Sequence, residues 1–396
     1  MKEKELLVQF GAGNIGRSFL GQIFARNGWE VLFVDVDEML LETLNRERRY
    51  TVVVKDPDGS EERLTISGVR AVDARDRDAV ARELARTAYV ATSVGSGAIR
   101  RVIPHLASEC VRRHREEPQR RPFDLILAEN IHNGSTLVEE LLLSALPAET
   151  DRSLLPGIIE CSVGKMVPLL PEALRKSEPT TVFAERYNSL ILDKKAWKNP
   201  IPPIPELVPV DNIAAYVDRK LFIHNLGHAA TAYLGYISHP EATYLWELLE
   251  DPEVISKTRS AMGCAAEALL RAYPESFSRE QLAEHIEDLL YRFRNRALGD
   301  TVHRVGRDLK RKLAGEDRVV GAMRLAERWG VDPDPIVAVY RSALQFKAPD
   351  EKGELFPADA EFHRELEERG VEYALREISG LEPGESLYET VNSRLP

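Results

Sequence analysis

The 396-residue chain has only three cysteines, Cys110, Cys161 and Cys264, widely separated and never arranged as C-x-x-C. That spacing excludes a disulfide framework and a cysteine-rich zinc site. No H-E-x-x-H motif or cluster of His and Cys ligands occurs, so no metal is expected. No apolar run approaches the roughly 20 residues that a membrane helix requires. The opening Met1-Lys2-Glu3-Lys4-Glu5 lacks a secretory-signal pattern, so a cytoplasmic protein without membrane association is expected. A basic excess is also missing. The net charge of −11 argues against a nucleic-acid partner, although local basic clusters remain available for a small anion. Hydrophobic residues at 43% and charged residues at 30% fit an ordinary globular protein, long enough for two domains.

What is present begins at once. The apolar run Leu6-Leu7-Val8-Gln9-Phe10 leads into Gly11-Ala12-Gly13-Asn14-Ile15-Gly16, a G-x-G-x-x-G. A helical pattern follows (Phe19, Leu20, Ile23, Phe24), then a second apolar run, Val31 to Val34, closed by Asp35. This is the order of a dinucleotide-binding βαβ unit. Gly11 permits the tight turn, Gly13 lets backbone approach a pyrophosphate, and Gly16 lets the helix pack close to the sheet. The helix N-terminus at Asn14 and Ile15 directs its N–H groups at the phosphates. Asp35 stands where a carboxylate would take a ribose 2′-hydroxyl and repel a 2′-phosphate, which favours NAD over NADP.

Strand and helix patterns alternate through the first third. Ala88 to Gly95 reads as a buried strand whose end, Val94-Gly95, is a cofactor contact, and Phe123 to Ala128 reads as another strand running into Glu129-Asn130. The expected fold is α/β, an N-terminal Rossmann domain with a doubly wound parallel sheet. Gly157–Val163 and Thr180–Ala184 are expected to extend that sheet. A proline-rich connector, Pro200 to Pro209, approaches a domain boundary. Residues 1–210 then form the nucleotide domain, and 211–396 an all-helical substrate domain with substrate in the cleft between them. Within the helical part, Ser278 with Gln281 three positions on predicts a capped helix start.

The helical half opens with Lys220, His224, Asn225 and His228. Lys220, His224 and His228 recur every four residues, with Asn225 beside that stripe. Lysine, asparagine and histidine on adjoining faces suit alcohol oxidation, in which a base accepts the hydroxyl proton and an N–H donor steadies the developing oxyanion. A solvated lysine above two core histidines fits the same spacing. The dense run Arg304, Arg307, Lys310, Arg311, Lys312 is either an anion site or a solvated helix face.

The segment Lys220-x(4)-Asn225-x(2)-His228 resembles the catalytic motif K-x(4)-N-x(2)-H of the polyol-specific long-chain dehydrogenase/reductase family. Phe10-Gly-Ala-Gly-Asn-Ile-Gly-Arg17, Thr231–Gly235, Arg292-Phe293-x-Asn295, Asp300-x-x-x-Arg304-Val305-Gly306-Arg307 and Glu377–Leu381 are similar to the branch that acts on phosphorylated polyols. Together these matches span almost the whole chain. The resemblance implies NAD-dependent, metal-independent interconversion of mannitol 1-phosphate and fructose 6-phosphate. It further implies a helical C-terminal domain similar to that of 6-phosphogluconate dehydrogenase, and it tolerates a monomer. Lys220 is implied as general base and acid, Asn225 and Asn130 as an oxyanion hole, and His228 as an orienting group. Glu185 falls at an acidic family position, with a surface role the alternative. Arg304 and Arg307 are implied as substrate contacts.

Two positions depart from the family pattern. V-D-R is replaced by Val163-Gly164-Lys165, and Asn-Pro by Asn295-Arg296, which adds a positive charge near the expected site. Either change would suit another sugar phosphate or a sugar acid. Tagaturonate or fructuronate reduction, and a non-catalytic NAD(H) sensor, therefore stand as the alternatives.

Overall fold

A computed structural model describes residues 4–95, 97–129, 131, 133–147, 151–168, 170 and 172–394. The chain divides into two compact units, Met1–Asp56 with Ser60–Ile213, and Pro57–Gly59 with Ala214–Pro396.

Among the described residues, the first unit is built on eleven strands: β1 Leu6–Phe10, β2 Glu30–Asp35, β3 Arg49–Lys55, β4 Glu61–Ser67, β5 Val69–Asp73, β6 Tyr89–Thr92, β7 Asp124–Leu127, β8 Gly157–Ser162, β9 Val182–Ala184, β10 Leu190–Asp193 and β11 Leu207–Val210. Eight of them form one sheet in the order β11-β10-β8-β7-β6-β1-β2-β5. Pairing is parallel from β5 across to β8 and again between β10 and β11, and the one antiparallel pairing in this sheet is that of β10 with β8. Chain order reverses at β1, with β2 on one side and β6 on the other. An α/β sheet of this kind opens its ligand crevice outside the carboxyl ends of the strands at such a point. β1 is fully buried, as an apolar strand between two parallel neighbours must be.

One expectation needs correction. Thr180–Ala184 does not extend the main sheet. Its β9 pairs with β3 in a separate sheet, β4-β3-β9, because β3 has a free edge opposite β4, and Val182 and Ala184 share the core of Tyr50 and Val52 there. The proline-rich connector ends in an edge strand, β11, where Pro209 is tolerated because an edge position need not donate to a neighbour.

The second unit is helical. Leu226–Ser238 is apolar on nearly every face and almost wholly buried, as a central helix surrounded by others should be. Helix Pro252–Ala272 packs along it. Ser278 and Gln281 form the expected reciprocal cap at the start of helix Arg279–Phe293: the Gln281 N–H donates to Ser278 Oγ at 3.2 Å, and the Ser278 N–H to Gln281 Oε1 at 2.9 Å. Among the described residues, no helix is long and apolar enough to cross a membrane.

Candidate active site

At the reversal point of the sheet, Gly11 takes φ +91°, and a Cβ there would stand 2.6 Å from the Ser93 carbonyl oxygen. Gly16 is equally constrained, since its Cβ would collide with the carbonyl oxygen of Gly11. Nothing lies within 4 Å of a Cβ built on Gly13, so the backbone there is open to an approaching group. Asn14 is exposed and Ile15 is packed on the core, which leaves the helix start accessible. Together these features form a cradle that fits a pyrophosphate.

The buried Gln9 ties the two strand ends together by donating from Nε2 to the Phe10 carbonyl at 2.7 Å and to Ser93 Oγ at 2.9 Å. Asp35 is held as firmly. Its Oδ2 accepts the Ala12 N–H at 2.6 Å and its Oδ1 the Val36 N–H at 2.7 Å, which draws the end of β2 against the glycine turn.

Beyond β6, the N–H groups of Val94 and Gly95 both donate to the Glu129 carboxylate, at 2.7 and 2.8 Å. They are therefore engaged inside the protein rather than presented to a ligand. Glu129 is buried, and that burial pushes its carboxyl group up from the ordinary carboxylate range. Glu129 was not among the residues expected from the sequence, whereas its neighbour Asn130 was. An acid directly after a buried strand, facing a glycine turn, was the available signal. Asn130 lies outside the described residues.

Glu185 is not at the surface. It is 3% exposed, and its Oε1 accepts the Met166 N–H. Beside it, the buried Lys165 donates from Nζ to the carbonyls of Glu185 (3.0 Å) and Tyr187 (2.6 Å). The Val163-Gly164-Lys165 stretch thus clasps the turn after β9. A Cβ on Gly164 would meet only the Tyr187 ring at 3.6 Å, an ordinary contact, so the fold does not require glycine at that position.

In the helical unit, Lys220–Asn225 is wound as a π-helix between Ile213–Arg219 and Leu226–Ser238. The Leu226 N–H reaches back to the Leu221 carbonyl, a five-residue step. In an α-helix, residues five apart are rotated by about 140°, whereas the wider π winding narrows that angle and brings them toward one face. Lys220 and Asn225 therefore share a face, and His228, three residues on in α geometry, continues it. His224, the other member of the expected stripe, stays near enough to Lys220 and His228 for both charges to act on it. His224 turns inward, 6% exposed, with its ring 5.7 Å from that of Phe293.

Burial, and secondarily the Arg318 guanidinium, lowers the Lys220 ammonium to about 8. Helix Val320–Arg328 begins directly on this segment, since a Cβ on Gly321 would stand 2.8 Å from the Phe222 ring. His228 stacks on Phe293 at 4.9 Å, and its Nε2 lies 2.9 Å from Asp300 Oδ2. Burial, reinforced by Arg304, Lys312 and Arg318, holds His228 down at about 3. That burial favours the neutral imidazole.

The basic run divides. Arg304 is half-exposed and pairs with Asp300, whereas Arg307 is exposed and lies 5.3 Å over the Phe356 ring. Lys310 pairs with Glu361 and Glu365, and Arg311 with Asp308 and Asp317. The buried Lys312 donates to the carbonyls of Val305 and Arg307, closing the end of helix Val302–Gly306. Arg296 is exposed and stacks 4.1 Å over Trp246. Among the described residues, no group of three or more His, Cys, Asp or Glu side chains could hold a metal ion.

Two solved structures share the fold over nearly the whole chain. One is a D-sorbitol dehydrogenase in substrate-free form, with 16% identity and a TM-score of 0.78, covering 98% of this chain and 92% of that one. The other is the Pseudomonas fluorescens mannitol 2-dehydrogenase in a ternary complex with NAD and D-mannitol, with 18% identity and a TM-score of 0.73, covering 99% and 91%. Residues 5–206 match the mannitol dehydrogenase Rossmann domain, and residues 212–393 match the mannitol dehydrogenase C-terminal domain. With both domains matched in order, the chain belongs to the mannitol dehydrogenase family.

Proposed function

We propose that the protein is an NAD-dependent dehydrogenase that interconverts mannitol 1-phosphate and fructose 6-phosphate, with Lys220 as general base in oxidation and general acid in reduction. The observation that carries this reading is the π-wound turn. It supports grouping Asn225 and His228 with Lys220, whose ammonium is lowered to about 8.

The glycine cradle of Gly11, Gly13 and Gly16, with Asn14 and Ile15 at the helix start, would hold the pyrophosphate, and Asp35 the adenosine ribose. Val94 and Gly95, fixed by Glu129, would contact the cofactor through outward-facing atoms other than their N–H groups. NAD, when bound, would supply the hydride acceptor for the carbinol carbon. Neutral Lys220 takes the hydroxyl proton as the C–O bond becomes a carbonyl. Asn225, with Asn130 as the resemblance implies, donates to the oxygen as charge develops there. Arg304 and Arg307 supply the positive charge for the phosphate, and Glu185 a further substrate contact.

The test is NADH oxidation with fructose 6-phosphate alongside fructose, tagaturonate and fructuronate. Turnover with fructose 6-phosphate alone is the expected result. Turnover with a uronate would overturn the phosphate assignment and point to Gly164. Tight NADH binding without turnover of any of the four would favour the sensor reading. Cofactor choice has its own check. Asp35→Ala removes the carboxylate that would repel a 2′-phosphate, so the preference for NADH over NADPH should fall by about tenfold or more. Unchanged selectivity would show that another residue reads the ribose.

A further inference from the structure

Asp300, which opens the family-like block ending at Arg307, lies at the centre of the charged cluster. It is 5% exposed, and its backbone is pinned because its carbonyl accepts the Leu245 N–H at 2.8 Å. The next residue, Thr301, caps helix Val302–Gly306 by accepting the Arg304 N–H at 3.1 Å. The carboxylate faces two groups: Oδ2 lies 2.9 Å from His228 Nε2, and Oδ1 pairs with Arg304. The other charged or titratable groups facing His228 are His224, Lys312 and Arg318.

A carboxylate only accepts hydrogen bonds, and a neutral imidazole carries one proton. The shared proton therefore resides on His228 Nε2, and Nδ1 is the acceptor of the ring. Because Phe293 fixes the ring plane by stacking, the direction of that lone pair is also set. We infer that Asp300 is a positioning residue that holds His228 in the Nε2–H tautomer, so that Nδ1 accepts a hydrogen bond from a substrate hydroxyl, while its second oxygen holds Arg304 beside that ring. This rests on the proposed polyol chemistry of the Lys220 face. It also assigns the two polar ends of the substrate. A hydroxyl can donate to Nδ1, whereas a phosphate or carboxylate oxygen, itself an acceptor, is turned away from His228 and toward the arginines.

The experiment is nitrogen NMR of the intact protein labelled with ¹⁵N-histidine, with His228→Gln identifying the His228 signals. Wild-type protein should show His228 neutral and protonated at Nε2 at pH 7. In Asp300→Asn the amide has one acceptor, which Arg304, a pure donor, takes. The NH2 group then faces Nε2, and the proton should move to Nδ1. With that switch, kcat/KM for the sugar phosphate should fall at least about tenfold, with NADH affinity unchanged. A wild-type His228 protonated at Nδ1 or at both nitrogens would overturn the assignment, even if the variant failed to fold. So would one tautomer shared by both proteins. The NMR result does not depend on turnover, so a failed substrate panel would sink the functional reading and leave the tautomer to decide the role of Asp300.

Discussion

Lys220→Ala should lower turnover by ~10²-fold or more in both directions while NADH binds as before. The size follows from what the side chain is asked to do. An unperturbed lysine near ~10.4 leaves almost no free amine at neutral pH. Lowered to about 8, Lys220 is a base for about a tenth of the time at pH 7, and it still returns a proton readily. The pH dependence has a definite sign. Oxidation requires the neutral amine, so its rate should climb as pH rises through about 8 and then level off. Reduction requires the ammonium, so its rate should decline over the same range. Lys220→Arg should not rescue activity, because a guanidinium does not deprotonate in this range.

Stability supplies a second readout. The folded value lies below the unfolded one, so the unfolded chain binds more protons between about 8 and ~10.4, and stability contributed by this residue rises with pH across that window. At pH 7 the ammonium is held at a cost, and Lys220→Met should raise Tm while abolishing turnover. A lysine with a purely structural role would lose stability on the same substitution. Unchanged turnover in Lys220→Ala would remove it from the mechanism.

The parts of the site that could be read from sequence are those built from neighbours in the chain. Gly11, Gly13, Gly16 and Asp35 belong to one βαβ unit, and their spacing follows from strand and helix periods alone. The pairing of Ser278 with Gln281 is legible for the same reason. Lys220, Asn225 and His228 were identifiable as residues but not as a surface. Ordinary helical periodicity groups Lys220 with His224 and His228 and leaves Asn225 aside, and the five-residue step of the π turn brings Asn225 toward them. Glu129, Glu185 and Asp300 were misjudged or passed over because their partners are distant in sequence: Val94, Met166 and His228. Each is a carboxylate buried by accepting N–H groups, and no local pattern separates such an acid from one that is solvated. β9 was misplaced and β11 missed for a related reason. Three or four residues carry too little periodicity to say which edge they will join.

The glycine turn offers the other large effect, because its members should fail in different ways. A methyl group at Gly16 meets backbone, the carbonyl of Gly11, which cannot swing aside as a flexible side chain would. Gly16→Ala must open the turn between β1 and the first helix. Overpacking of this kind costs ~1–3 kcal/mol, or a fall in Tm of roughly 2–10 °C for a unit of this size. NADH affinity should drop by about tenfold or more, since the displaced helix start no longer faces the phosphates. Gly13→Ala makes the complementary case. Nothing within 4 Å obstructs the new methyl, and its backbone has no positive φ, so Tm should hold. That methyl nevertheless occupies the open space through which a pyrophosphate would approach, and NADH should bind about tenfold more weakly with the fold intact. Differential scanning calorimetry beside NADH fluorescence titration separates the two variants. Normal NADH binding by Gly13→Ala would mean that the phosphates do not pass over this turn. A Gly16→Ala protein with wild-type Tm would mean that the contact between Gly16 and Gly11 is looser than its geometry implies.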